Sequence, residues 1–102
     1  GEKFLSGTWK GDGYYFTMDD EGSISYNLPW FDYGDFYKIE DGSILLHPKD
    51  KENDTKALFS FSALTPDCIQ VFCHKNSKTY RKYETFPTSQ SGFFMLICSQ
   101  NV

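Results

Sequence analysis

Phe36-Tyr37-Lys38-Ile39-Glu40-Asp41-Gly42-Ser43-Ile44-Leu45-Leu46-His47 is the stretch that decides the fold class. Asp-Gly suits the tight type I′ turn, in which both central residues take positive φ and the turn's twist matches that of the strands it joins. With period two, Tyr37 and Ile39 fall on the same side as Ile44 and Leu46. The stretch is therefore a predicted β-hairpin with one apolar face.

The same pattern continues in both directions. Upstream, Leu5, Gly7 and Trp9 share a face, and Gly11-Asp12-Gly13 supplies a turn. Tyr14, Phe16 and Met18 then alternate as far as Asp19-Asp20-Glu21-Gly22, after which Ile24, Tyr26 and Leu28 alternate with Ser23, Ser25 and Asn27. Downstream of a polar loop, Ala57, Phe59, Phe61 and Ala63 alternate with Leu58, Ser60, Ser62 and Leu64, a long strand with mixed faces. Thr65-Pro66-Asp67 turns the chain, and Ile69, Val71 and Cys73 form an apolar face opposite Gln70 and His74. Asn76-Ser77 leads into a predicted strand from Lys78 to Thr85. No helical period of ten residues or more occurs. Eight short strands with short connections predict an all-β, eight-stranded up-and-down antiparallel barrel.

The chain of 102 residues has room for one domain and one core. Barrel strands are expected within residues 5–85, and residues 86–102 read as a linker and an apolar tail. Phe93-Phe94-Met95-Leu96-Ile97-Cys98 is expected to be a ninth strand, either closing its own barrel beside the first strand or lying against a second chain as a homodimer contact. At six residues this longest apolar run falls far short of the ~20 that a bilayer helix needs, so no transmembrane segment is expected and the chain should be soluble. The opening Gly1 in place of Met is expected to mark a processed start, from which a tag or an export signal has been cut.

Ten Phe, seven Tyr and two Trp favour pleated, half-buried surfaces. A net charge of −4 and a lone arginine, Arg81, leave no basic stripe for a phosphate backbone, so nucleic acid is not an expected partner. Three cysteines without C-x-x-C spacing form neither a disulfide framework nor a zinc site. Cys68 and Cys73 lie on one predicted strand roughly 17 Å apart, which leaves Cys98 as the only bridging partner for either. Buried free thiols are the expected state.

Gly7-Thr8-Trp9 on the first strand resembles the G-x-W motif of lipocalins and other calycins. Phe59-Ser60-Phe61-Ser62-Ala63-Leu64 through Thr79-Tyr80-Arg81 is similar to the final three strands of short bacterial lipocalin-like proteins. The resemblance covers roughly residues 5–84. It implies a barrel open at one end that binds a small apolar molecule, in a protein exported to the periplasm or cell surface. It also suggests that Arg81 stacks over Trp9 by cation–π attraction. Gly7 would allow close approach, and Trp9 would fill the closed end of the barrel, a structural role. The chain departs from the family in its short length, the missing C-terminal helix and the apolar tail.

Pro29-Trp30-Phe31-Asp32-Tyr33-Gly34-Asp35 places three aromatics in an inter-strand loop, either as a binding surface capping the barrel mouth or as side chains folded inward to complete the core. With Trp30, Phe31 and Tyr33 from this loop, the inward aromatics Tyr26, Tyr37 and Phe61 make up the candidate ligand lining. Catalytic groups are sparse. His74 cannot pair with Cys73, because neighbours on a strand point to opposite faces, and His47 is expected at a strand end on the surface. Asp19-Asp20-Glu21 and the pair Asp32 and Asp35 lack the alternating ligand positions of a calcium loop. No enzyme activity, cofactor or metal is expected. Asn53-Asp54-Thr55 matches an N-glycosylation sequon, which has meaning only in a eukaryotic secretory protein. Two functions follow: a binding protein that holds a small hydrophobic ligand in the barrel, or a non-catalytic protein-interaction module with a filled barrel, acting through the aromatic loop or the C-terminal strand.

Overall fold

The computed structural model describes residues 5–75 and 86–100. Their eight strands are β1 (Gly7–Gly11), β2 (Tyr14–Met18), β3 (Ile24–Tyr26), β4 (Phe36–Glu40), β5 (Ser43–His47), β6 (Lys56–Ala63), β7 (Cys68–His74) and β8 (Gly92–Ser99). They form one antiparallel sheet in the order β3-β2-β1-β8-β7-β6-β5-β4. Apart from β3 and β4, which end the sheet, the described strands lie beside their neighbours in sequence, and β8 returns to β1, which is the up-and-down order. The remaining seam, between β3 and β4, is narrowed by a bridge between Ser23 and Phe36. The Ile24 amide donates to the Asp35 carbonyl at 2.9 Å and the Tyr37 amide to the Gly22 carbonyl at 2.8 Å, so the barrel is nearly closed.

The turns form where the sequence allows positive φ. Asp41 and Gly42 have φ of 50° and 74°, and Asp12 and Gly13 have 52° and 83°, pairs that a type I′ turn requires. The first hairpin then registers Trp9 opposite Phe16, and the third registers Ile39 opposite Ile44. The expected strand from Lys78 to Thr85, together with Arg81, lies outside the described residues. Among the described strands the eighth is the apolar tail, which pairs with β7 from Gly92 to Cys98 and with β1 at Trp9–Ser99 and Lys10–Cys98. The tail thus closes its own barrel. Gly11 permits this junction, because a Cβ there would collide with the Leu96 carbonyl.

The mixed faces of β6 have a physical cause. The β5–β6 register shifts between Ile44 and Leu45, so that Ile44 faces Phe59 and Leu45 faces Ala57, with Leu58 left over. Such a bulge lets two consecutive residues, Leu58 and Phe59, both turn into the core. Trp9, Phe16, Met18, Ile44, Leu46, Phe59, Ile69, Val71, Met95 and Ile97 fill the rest of the interior. The Trp9 indole N–H donates to the Leu5 carbonyl at 3.1 Å, so this large ring is buried with its polar atom satisfied.

Two expectations need correction. Cys68 and Cys98 are directly opposed on β7 and β8 and form a disulfide, whereas Cys73 is buried and free. Counting cysteines could not reveal the bridge, because it depends on the tail docking in register beside β7. His47 is not a surface residue: it stacks on Phe36 with ring centroids 5.8 Å apart and is 8% exposed. Ladder pairing of Phe36 with His47 brings those two rings together on the outer face.

Candidate functional site

The six aromatics expected to line a ligand site divide into two groups. Tyr26, Trp30, Phe31 and Tyr33 gather at one end of the barrel, beneath the loop of residues 27–35. The Tyr26 hydroxyl donates to the Gly34 carbonyl at 3.0 Å and accepts from the Tyr33 amide at 2.9 Å, and the Tyr26 ring meets Phe31 edge-on at 5.8 Å. Trp30 is 1% exposed and is held edge-on by Tyr14, Phe86 and Phe93, at centroid distances of 5.0, 5.2 and 5.7 Å. Phe31 is also buried. The loop is therefore folded inward as part of the core.

Gly34 fixes this fold. Its φ is +117°, where L side chains are strained, and a Cβ would run into the His47 carbonyl. Tyr33 reaches the polar loop instead: its hydroxyl donates to the Asp54 carbonyl at 3.0 Å, and the Lys56 ammonium lies 5.6 Å from its ring centre. Tyr37 and Phe61 lie apart from the group. The buried Tyr37 donates through its hydroxyl to the Asp19 carbonyl, and Phe61 packs half-buried at the margin of the core. Asp19 in turn accepts from the amides of Glu21 and Ser23, which hold its carboxyl below the usual range, the Ser23 contribution being the larger. Across the middle of the barrel the rings of Phe16 and Phe59 meet at 5.2 Å.

The outer face of β6, β7 and β8 is unlike the rest of the surface. Phe94 and Leu96 are 66% and 50% exposed. Phe94 leans edge-on against Phe72 at 5.1 Å, and a shallow groove runs between Ser60, Ser62, Gln70, Phe72 and Phe94. None of the three strands contains an Asp or Glu. The disulfide lies at one end of this face. At the other, the Ser60 Oγ is 2.7 Å from the His74 Nε2 and 3.1 Å from the Ser43 Oγ. Burial lowers the His74 pKa from its ordinary 6.5, which favours the neutral ring.

This face is concealed in the sequence. A continuous apolar run looks buried on both sides, yet period two already places Phe94, Leu96 and Cys98 together, and Ser60 meets Phe72 and His74 once β6 and β7 are paired. Among the described residues no cluster of three or more metal-ligating side chains occurs. No described helix is long and apolar enough to cross a membrane. Comparison of the chain with protein-family models, with curated proteins and with solved structures finds no match in any of the three.

Proposed function

We propose that this chain is a non-catalytic protein-interaction module: a filled barrel whose docking surface is the outer face of β6, β7 and β8, occupied by a second copy of the chain. The observation that carries this reading is the exposure of Phe94 and Leu96 beside Phe72, because adjacent large apolar side chains left in water mark interaction surfaces. Charge supports a like partner. Each copy carries a net charge of −4, so two copies repel over most of their surfaces, whereas this face has no carboxylate on its strands. A two-fold axis over the face would set the Phe72–Phe94 groove of one copy against Phe94 or Leu96 of the other, the self-complementary contact of a symmetric dimer. Contact is by side chains, since β8 is paired with β7 along Gly92–Cys98 and with β1 at Cys98 and Ser99, and Phe94 and Leu96 project from the face of the sheet.

The alternative, a lipocalin-like carrier for a small hydrophobic ligand, draws on the up-and-down topology and the G-x-W motif. The Phe16–Phe59 contact and the inward Trp30 weigh against it, because they occupy the axis and one end of the space that such a ligand would need. A periplasmic or cell-surface location accords with either function, as the Cys68–Cys98 disulfide would persist in an oxidising compartment.

Sedimentation velocity over a concentration series tests the proposal. The chain should dimerise, and Phe94→Ser with Leu96→Ser should leave a folded monomer. A wild-type chain that stays monomeric up to its solubility limit overturns the docking assignment. Saturable binding of a fluorescent fatty-acid analogue, abolished by unlabelled fatty acid, would favour the carrier.

A further inference from the structure

We propose that Ser60 is a nucleophilic acyl-acceptor site, with His74 as its general base and the Phe72–Phe94 groove as the seat for an apolar acyl group. This does not rest on the dimer reading, and it leaves the module non-catalytic because the acyl group stays on the protein. The Ser60 hydroxyl sits between two partners on neighbouring strands. Ser43 is its ladder partner on β5, and His74 lies diagonally across the β6–β7 ladder, 2.7 Å away through Nε2. When the Ser43 hydroxyl donates to the Ser60 oxygen, the Ser60 proton is directed to His74 Nε2. A nucleophile is activated in just this way, by a base within hydrogen-bond reach. Phe72 holds the imidazole edge-on at 5.2 Å, and burial keeps it neutral and able to accept a proton.

The groove beside Ser60 supplies the chemistry of the substrate. It is lined by Phe72 and Phe94 together with Ser62 and Gln70, which suits a short apolar acyl chain attached to a good leaving group. The substrate class is an activated ester: an acyl thioester or an aryl ester. As the Ser60 Oγ bonds to the carbonyl carbon, its proton passes to His74 Nε2. The carbon–sulfur or carbon–oxygen bond then breaks, the leaving group departs with the bonding pair, and Nε2 returns the proton to it. The products are an ester on Ser60 and a free thiol or phenol, with no change of oxidation state.

The test uses p-nitrophenyl butyrate and the full chain, diluted until sedimentation shows only monomer, with the site of butyrylation mapped by fragment mass spectrometry over time. Ser62, two residues along the same strand and more exposed but with no imidazole beside it, is the internal standard. Ser60 should acquire butyryl about a hundredfold faster than Ser62, the usual scale of general-base assistance. Ser60→Ala should abolish the fast phase and His74→Gln should slow it to the Ser62 rate. Comparable rates at Ser60 and Ser62, or label confined to lysines or to His74, overturns the proposal. So does a folded His74→Gln variant that labels Ser60 at the wild-type rate. The Ser60-to-Ser62 comparison is made within the wild-type chain, so it decides the matter even if the His74 variant does not fold.

Discussion

Phe16 on β2 and Phe59 on β6 meet edge-to-face with their ring centres 5.2 Å apart. In the cyclic strand order three strands separate β2 from β6 in either direction, so the contact spans the axis of the barrel. Both rings are fully buried. A barrel whose opposite walls touch at this level is a packed core there.

Phe59→Ala should therefore cost about 3 to 5 kcal/mol, the range for deleting a large aromatic from a core, because the barrel walls cannot collapse into the space. The vacated volume would be apolar and dry, and should take up benzene or xenon, as engineered apolar cavities do. Urea denaturation and xenon chemical-shift titration check the two halves. A loss below about 1 kcal/mol would place Phe59 outside the structural core.

The cysteines give a second prediction. Burial pushes the Cys73 thiol up to about 12, so almost no thiolate exists at neutral pH. The native protein should not react with a soluble disulfide reagent, and the unfolded, unreduced chain should expose the Cys73 thiol alone. The bridge between Cys68 and Cys98 spans 30 residues, and loop-closure entropy for that span suggests about 3 to 4 kcal/mol of stabilisation. Replacing both cysteines with serine should lower the unfolding free energy by that amount. Equal reactivity of native and unfolded chains would contradict the burial of Cys73.

Among the described residues His74 and Asp19 have lowered folded pKa values, and both signs can be worked out. His74 has a folded pKa below 6.5 because it is buried, so above pH 6.5 it is neutral in folded and unfolded chains alike. Below pH 6.5 the unfolded chain takes up a proton that the folded chain refuses, and stability falls until the pH reaches the folded pKa. Asp19 is held below 3.8 by the amides of Ser23 and Glu21, so its contribution is present above pH 3.8 and is lost as the pH falls through the folded value. Urea midpoints measured against pH should show both declines. His74→Gln should remove the upper one and Asp19→Asn should reduce the lower one. A wild-type profile that is flat between pH 6.5 and 5 would contradict the His74 assignment.

Strand identity is legible in the sequence because period two and Asp-Gly are local signals, which is why Tyr37, Ile39, Ile44 and Leu46 fall on one face without reference to pairing. The β5–β6 bulge was visible only as a symptom, the mixed faces around Leu58 and Phe59, since a register shift involves two strands and sequence shows one. The disulfide and the outer apolar face were hidden for the same reason. Both arise when the tail inserts between β7 and β1, which sets Cys98 opposite Cys68 and turns Phe94 and Leu96 outward. The burial of His47 is not legible in the sequence, because its cover, Phe36, comes from the hairpin partner on the outer face, where an alternating pattern predicts water. The aromatic loop stayed undecided between surface and core because composition shows that Trp30 and Phe31 are apolar, not which way residues 27–35 close.

Trp30 provides the last prediction, which separates a plug from a lid. A lid covers a space that exists without it, so truncating the lid opens that space at little cost in stability. A plug is part of the core, and its loss removes packing without revealing a finished site. Trp30 has the contacts of a plug: it is buried against Tyr14, Phe86 and Phe93, on a loop pinned by the Tyr26 hydroxyl and by Gly34. Trp30→Ala should therefore cost about 3 to 5 kcal/mol and should not confer saturable binding of a fluorescent fatty-acid analogue, because Phe16 and Phe59 still meet across the axis. Combining Trp30→Ala with Phe59→Ala should add the two losses to within about 0.5 kcal/mol if the sites are independent. A Trp30→Ala protein of near wild-type stability that binds the analogue tightly would make the loop a lid and return the barrel to the carrier reading.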